Sequence, residues 1–266
     1  MGYSEEKYNT IMTELASFLS GLNICNVTSV PISSTDGDNV TERSENTKWF
    51  TGKTFIELIE DIVGSTDESN KSAILPIQDV YNITDQGKSK RISVGRIEAG
   101  NVSEGQSIYV LPSKEHAHIK SIEKYNGTKP QAQNGECIGI TTDRPLFMER
   151  GNIVCSANHG LNVVSNFKAS LFWMNTAAVN VNDKLTLRCS TQEVGCNISK
   201  IFKKINSSTL EKIEDNLTSL KRLEVGEVEI KTKKPIVVST ISNVQALGRF
   251  VLLRNNTIVA GGIIPE

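Results

Sequence analysis

The hydrophobic period of this chain changes at residues 64–70, and that change limits the possible folds more than any other feature. Before Gly64-Ser65-Thr66-Asp67-Glu68-Ser69-Asn70, apolar residues recur at helical spacing. After it, short β-branched runs return roughly every 8–12 residues between Gly, Asn and Asp turns. Helical and strand periods serve different packing surfaces, so the polar stretch between them is read as a domain boundary.

Upstream, residues 4–22 carry Tyr8, Ile11, Met12, Leu15, Phe18, Leu19 and Leu22 at spacings of three and four, which predicts an amphipathic helix. Ser4 suits its N-cap, and the acidic residues after it suit the first turn. Val27–Ile32 reads as a short buried strand, followed by a polar loop from Ser33 to Asn39. A second helix is expected from Thr54, where Glu57 completes a capping box and Phe55, Ile56, Leu58, Ile59, Ile62 and Val63 supply an apolar face. Helix, strand, helix is a piece of an α/β sheet.

Downstream, strands are expected at 74–80, 93–99, 107–111, 118–125, 137–141 and 152–155, the pattern of a small antiparallel barrel. A second boundary falls near Asn158-His159-Gly160. Strands resume at 167–173, 184–189, 195–202, 226–231, 236–239, 248–254 and 257–264. Within 207–222, Leu210, Ile213, Leu217 and Leu220 have helical spacing, so a short helix or a charged excursion is expected there. The domains are thus read as 1–66, 72–157 and 162–266.

The balance of 29 basic and 30 acidic residues gives a net charge of −1, so the whole-chain charge makes no case for nucleic acid or an anionic membrane. No stretch reaches the roughly 18 apolar residues of a membrane span, and the acidic N-terminus is no signal peptide. Glu6 stands where a myristoylation motif wants Ser or Thr. Five cysteines, an odd number with no C-x-x-C pair, suit reduced thiols in the cytoplasm.

The sharpest local signal is the loop at 31–39. A strand ending Pro31-Ile32-Ser33 and then Gly37-Asp38-Asn39 can offer backbone N–H groups and small side chains to a purine edge. It resembles the last guanine-contacting element of translation-factor GTPases. The likeness continues in order. Trp49-Phe50-x-Gly52-Lys53-Thr54 looks like the end of the nucleotide domain of elongation factor 1-alpha and its relatives. Leu75–Tyr81, Val94–Gly100, Gly105 and Arg150-Gly151-Asn152 resemble their second domain. Leu247–Phe250 and Val259–Ile264 resemble the closing strands of their third. The fold class implied is mixed: an α/β remnant of a P-loop GTPase domain, then two antiparallel β-barrels.

Within that superfamily, Tyr3–Tyr8, Asp38–Ser44, Val110–Ser113 with Ile119–Ile122, and Leu171-Phe172-Trp173-Met174 resemble the GTPase subunit of sulfate adenylyltransferase. That resemblance implies coupling of GTP hydrolysis to the reaction of ATP and sulfate, with the catalytic subunit of sulfate adenylyltransferase as partner and neither membrane nor nucleic acid. The other reading is an elongation factor 1-alpha-like translation or release factor that binds tRNA or ribosomal partners. A third is a stand-alone interaction module without GTPase function.

The resemblance also departs. No G-x-x-x-x-G-K-S/T loop is present; Gly52-Lys53-Thr54 has its last letters, but Thr47 stands at its first glycine. GTP and Mg²⁺ are implied for the intact family member, whose phosphate and base-reading motifs would precede Met1. Neither is expected on this chain alone, which is read as a fragment or the product of a split gene, with no catalytic or metal-ligating residues. The expected guanine-facing remnant is Ser33, Ser34 and Thr35, where the family has Ser-Ala-Leu.

Three other features are read as structural. His116 and His118 share a strand face but have no third ligand nearby, so they are taken as solvated. His159 belongs to a linker. Lys200–Lys204 is taken as a solvated strand end, and Trp173 with Met174 as barrel core or seam.

Overall fold

The computed structural model describes residues 2–21, 27–62, 71–85, 88–124, 127–207, 209, 211–213 and 217–266. Cys25, Leu210 and the expected linker at 64–70 lie outside the described residues. The chain divides into two compact units, Met1–Thr66 and Asp67–Glu266.

The first unit holds α1 (Glu5–Gly21) and α2 (Phe55–Ile62). Ser4 caps α1 as expected, its Oγ accepting from Lys7 N at 3.3 Å. The capping box of α2 is also formed: Thr54 N donates to Glu57 Oε2 at 2.7 Å, and Glu57 N to Thr54 Oγ1 at 3.3 Å. The buried strand expected at 27–32 is not formed. Val27 and Ile32 are 46% and 50% exposed, and residues 27–33 carry no ladder. A strand needs a partner for its backbone groups, and none lies beside this segment among the described residues. Its Pro31 carbonyl instead accepts from the Asn39 side chain.

In the second unit the strands are β1 (Ile74–Asp85), β2 (Lys88–Arg96), β3 (Val102–Ser103), β4 (Ser107–Leu111), β5 (Glu115–Lys124), β6 (Gly127–Thr128), β7 (Gln131–Ala132), β8 (Cys137–Thr142) and β9 (Ile153–Cys155). They continue as β10 (Asn162–Trp173), β11 (Val179–Asn180), β12 (Leu185–Cys189), β13 (Gln192–Asn206), β14 (Lys212–Ile213), β15 (Ser219–Leu220) and β16 (Glu224–Val238). A short α3 (Gln245–Gly248), β17 (Arg249–Arg254) and β18 (Thr257–Ile263) complete the chain. The order β4-β9-β1-β2-β8-β5 closes on itself through β4–β5, with β6 appended; β12-β17-β18-β10-β16-β13 closes through β12–β13, with β14 appended. Two closed antiparallel barrels result, and closure removes the exposed edges an open sheet would present.

Strand alternation explains how the barrels join. On β1, Leu75 and Ile77 fill the first barrel, whereas Ile74 belongs to the core of the second. The same split separates Val110 from Leu111 on β4, and Val154 from Ile153 on β9. The face formed by β4, β9 and β1 is therefore apolar on both sides. Fully burying each such aliphatic side chain stabilises by about 1.5–3 kcal/mol, so the seam is held by the hydrophobic effect.

Three expectations change here. The two strands expected at 226–231 and 236–239 are one, β16, which stays paired with β10 through an irregularity at Val164/Asn166. The stretch 207–222 forms β14 and β15 rather than a helix in its described residues, so the excursion is what the fold uses. Lys204 is not solvated: it is 2% exposed, with Nζ 3.6 Å from Glu224. Register shifts at Ile198/Lys200 and Ile201/Lys203 alter the alternation of β13 and turn Lys204 inward. No described helix is long and apolar enough to cross a membrane.

Candidate functional site

The loop that carries Ser33, Ser34 and Thr35 is held by its own sequence. Gly37 adopts φ +79, which a side chain would strain, and its N–H closes a turn onto the Ser33 carbonyl at 2.9 Å. Asn39, buried and at φ +54, anchors the loop: its amide donates to the Pro31 carbonyl at 2.8 Å and to Thr47 Oγ1 at 2.7 Å, while its Oδ1 accepts from Ser44 N at 2.8 Å. The carbonyls of Asn39 and Val40 accept from Phe55 and Ile56, tying the loop to the start of α2.

This frame walls a cavity of about 640 Å³ inside the first unit, with Tyr8, Met12 and Trp49 on its apolar side and Ser33, Ser34 and Thr35 on its polar side. The structure thus brings all three sequence-selected residues to one pocket. Their hydroxyls are not equivalent. Ser33 Oγ donates to Asp36 Oδ2 at 2.7 Å and Thr35 Oγ1 to the same oxygen at 3.2 Å. Ser34 is exposed, and no side-chain bond engages it among the described residues.

Sequence reasoning missed Tyr3, Asp36 and Asp38 as members of the site. Tyr3 OH donates to Asp38 Oδ2 at 2.8 Å and lies 3.4 Å from Asp36 Oδ2. The Ser44 hydroxyl donates to Asp38 Oδ1, and Asn46 adds a longer bond at 3.3 Å. Hydrogen bonds from Ser44 and then Tyr3 hold the Asp38 carboxyl below the usual carboxylate range; its acceptance of the phenol in turn raises Tyr3. The signal was present in the spacing Asp36-x-Asp38, but no residue near it in sequence predicts Tyr3.

Among the described residues, Asp36 and Asp38 are the only charged side chains lining this cavity. Carboxylates accept, so the pocket suits a flat ring that presents N–H donors, flanked by the tilted rings of Tyr8 and Trp49, 5.2 Å apart. It does not suit phosphate, which two carboxylates would repel. Nor do the described residues hold a group of three or more side chains able to bind a metal ion.

The remaining candidates are placed as follows. His116 Nε2 bonds Ser107 Oγ at 2.7 Å and His118 Nδ1 meets Asp143 Oδ2 at 3.1 Å, so each ring is engaged by protein. His159 Nδ1 accepts from Leu161 N, and burial lowers its pKa. Burial likewise pushes the Cys155, Cys189 and Cys196 thiols up to about 12, which keeps them unreactive. Trp173 is fully buried as expected, while Met174 is 41% exposed.

Comparison with known proteins agrees with this architecture. Residues 166–265 match the family described as GTP-eEF1A C-terminal domain-like. Elongation factor 1-alpha of Methanothermobacter thermautotrophicus is 30% identical over 268 residues, covering 99% of this chain and 64% of that protein. Elongation factor 1-alpha of Desulfurococcus mucosus is 33% identical over 255 residues, covering 94% of this chain and 58% of that protein. The chain therefore spans less than two thirds of the length of these relatives. The fold is also that of the crystal structure of Sup35 complexed with GDP, at a TM-score of 0.69 and 20% identity, over 100% of this chain and 66% of that one.

Proposed function

For a chain that is elongation factor 1-alpha-like, of the translation-factor GTPase superfamily, we propose that it is the partner-gripping portion of a translation-type factor, its two-barrel unit contacting tRNA or a ribosome-associated partner. The observation that carries this reading is collinearity: the likeness to elongation factor 1-alpha runs through 99% of the chain. Closed barrels that share a core give a stiff platform, which lowers the cost of ordering a contact surface on binding. The loop of Ser33, Ser34 and Thr35 contributes a purine-facing edge in this proposal, with Asp36 and Asp38 as acceptors and phosphate contacts left to other residues. The test is retention of aminoacyl-tRNA or ribosomes by the immobilised full chain. Retention above that of a Phe250→Asp unfolded control is expected, and no retention of either would overturn the reading.

A second reading, the GTP-binding regulatory subunit of sulfate adenylyltransferase, is favoured by Leu171-Phe172-Trp173-Met174 and by Asp38–Ser44. Met174 stands exposed on the barrel surface, where a partner could use it. The named relatives are elongation factors, which places this reading second. Capture of the catalytic sulfurylase subunit without tRNA would reverse the order.

A further inference from the structure

We propose that a cavity at the seam of the two barrels, between β4, the turn at Lys114 and the connection from β9 to β10, binds a small organic acid, its carboxylate held by Lys114 and His159 and its aliphatic or aromatic body laid against Leu111, Leu161 and the Tyr109 ring. The cavity encloses about 530 Å³, within the range of roughly 300–1,000 Å³ usual for small-molecule sites. Its apolar side is the core that joins the barrels. Leu111 and Leu161 are buried members of the second barrel's core, and Tyr109 and Val163 pack against it. Such sites are common where two domains meet over apolar side chains.

The polar groups of the cavity are donors. Among the described residues Lys114 is the only charged side chain lining it, and no carboxylate lines it. Glu115, the next residue along the chain, stays outside the lining, and its Oε2 accepts from Ser113 Oγ at 3.1 Å. No hydrogen bond or ion pair engages the Lys114 ammonium or the Tyr109 hydroxyl among the described residues. His159 Nδ1 accepts from Leu161 N at 3.0 Å, and burial lowers its pKa, so the neutral ring carries its proton on Nε2 as a further donor.

Protein contacts alone hold these walls. Lys114 adopts φ +63 and Asn158 φ +60, left-handed conformations uncommon for residues with a side chain. Lys114 N donates to the Val110 carbonyl at 2.7 Å, and Ser72 Oγ donates to the Asn158 carbonyl at 3.0 Å. A cavity held in this way loses little freedom when it is filled. The lining also selects the occupant. A cation meets an ammonium and no carboxylate. Free phosphate leaves the apolar side unused, and an uncharged apolar molecule gains nothing from the ammonium. One carboxylate on an apolar body uses both. The seam cavity stands on its own residues and not on the translation-factor reading.

The experiment titrates octanoate into the full chain and follows the methyl signals of Leu111, Leu161 and Val163 by NMR, with octanamide and inorganic phosphate as comparison probes. Saturable shifts of these methyls by octanoate are expected. Lys114→Gln, which removes the charge, should weaken binding about tenfold, and octanamide should bind the parent about tenfold more weakly than octanoate. Ala157→Trp puts a ring into the cavity from an exposed position and should abolish the shifts. Absence of shifts in the parent, or unchanged octanoate affinity in both variants with folding confirmed by circular dichroism, overturns the proposal. Octanamide binding as tightly as octanoate overturns the carboxylate assignment. Displacement of octanoate by an equal concentration of phosphate overturns the apolar body.

Discussion

The phenol of Tyr3 donates to the carboxylate of Asp38 across 2.8 Å, a bond between residues 35 positions apart. It joins Tyr3 to the loop of Ser33, Ser34 and Thr35, with all four residues lining the candidate pocket. It also fixes the charge of the pocket, because a carboxylate that accepts from both Tyr3 and Ser44 stays ionised further into acid than a free one.

Removing the donors should therefore be visible at Asp38 itself. Ser44 is the larger cause of the lowered pKa and Tyr3 the next. Ser44→Ala is expected to raise the Asp38 pKa more than Tyr3→Phe, with both variants shifting it upward. A carboxyl-carbon NMR titration of Asp38 checks the order. A larger shift in Tyr3→Phe would show that the phenol, not the serine, controls this carboxylate.

The capping box of α2 gives a local stability prediction. Thr54 is buried and bonds Glu57 in both directions. Thr54→Ala should cost about 1 kcal/mol, and Thr54→Ser much less, because serine keeps the accepting oxygen. Amide exchange in Phe55–Ile62 is the readout, with the two barrels as internal reference. Equal exchange in both variants would mean that the N–H groups of Phe55 and Ile56 are held by the Asn39 and Val40 carbonyls alone.

What the sequence made legible follows from how far each signal reaches. The capping box of Thr54 and Glu57, and the barrel strand at 107–111, rest on neighbours within a few residues, and both appear as expected. The conformation of the loop at 31–39 was legible because Gly37 and Asn39 mark it locally. Tyr3 was not, since its place depends on a contact 35 positions away. Val27–Ile32 looked like a buried strand because β-branched residues fit pleated surfaces, yet a strand exists only through its partner. Lys204 was misplaced for another reason: the shifts in β13 are set by pairing with β16, and they break the alternation from which burial was read.

Trp173 tests the second barrel. Its ring is fully buried, its Nε1 donates to the Ala177 carbonyl at 2.9 Å, and the Arg254 guanidinium lies 5.4 Å from its centroid. Trp173→Phe removes the donor, but Ala177 is exposed and its carbonyl can turn to water, so the cost should be about 0.5–1.5 kcal/mol. Trp173→Ala adds a cavity and should cost about 3–5 kcal/mol. Denaturant unfolding, followed by far-ultraviolet circular dichroism, measures both. A phenylalanine variant as unstable as the alanine variant would show that ring size, not the Nε1 bond, fills this site.

Acid stability should depend on Glu136. Its carboxylate accepts from Lys124, from Lys129 at 2.7 Å and from Gln133 N at 2.8 Å. The Lys124 bond first, then Lys129, lowers its pKa from 4.5 to about 2. A folded-state pKa below the unfolded one means that protons favour unfolding. The stabilisation is therefore complete above the unfolded value of 4.5 and is lost as pH falls toward about 2. Glu136→Gln keeps an acceptor but no charge, so its stability curve should be flatter than that of the parent through this window, and the two should converge at its acid end. Parallel curves between pH 5 and pH 2, in urea unfolding at fixed ionic strength, would show that Lys124 and Lys129 hold Glu136 no better than water does.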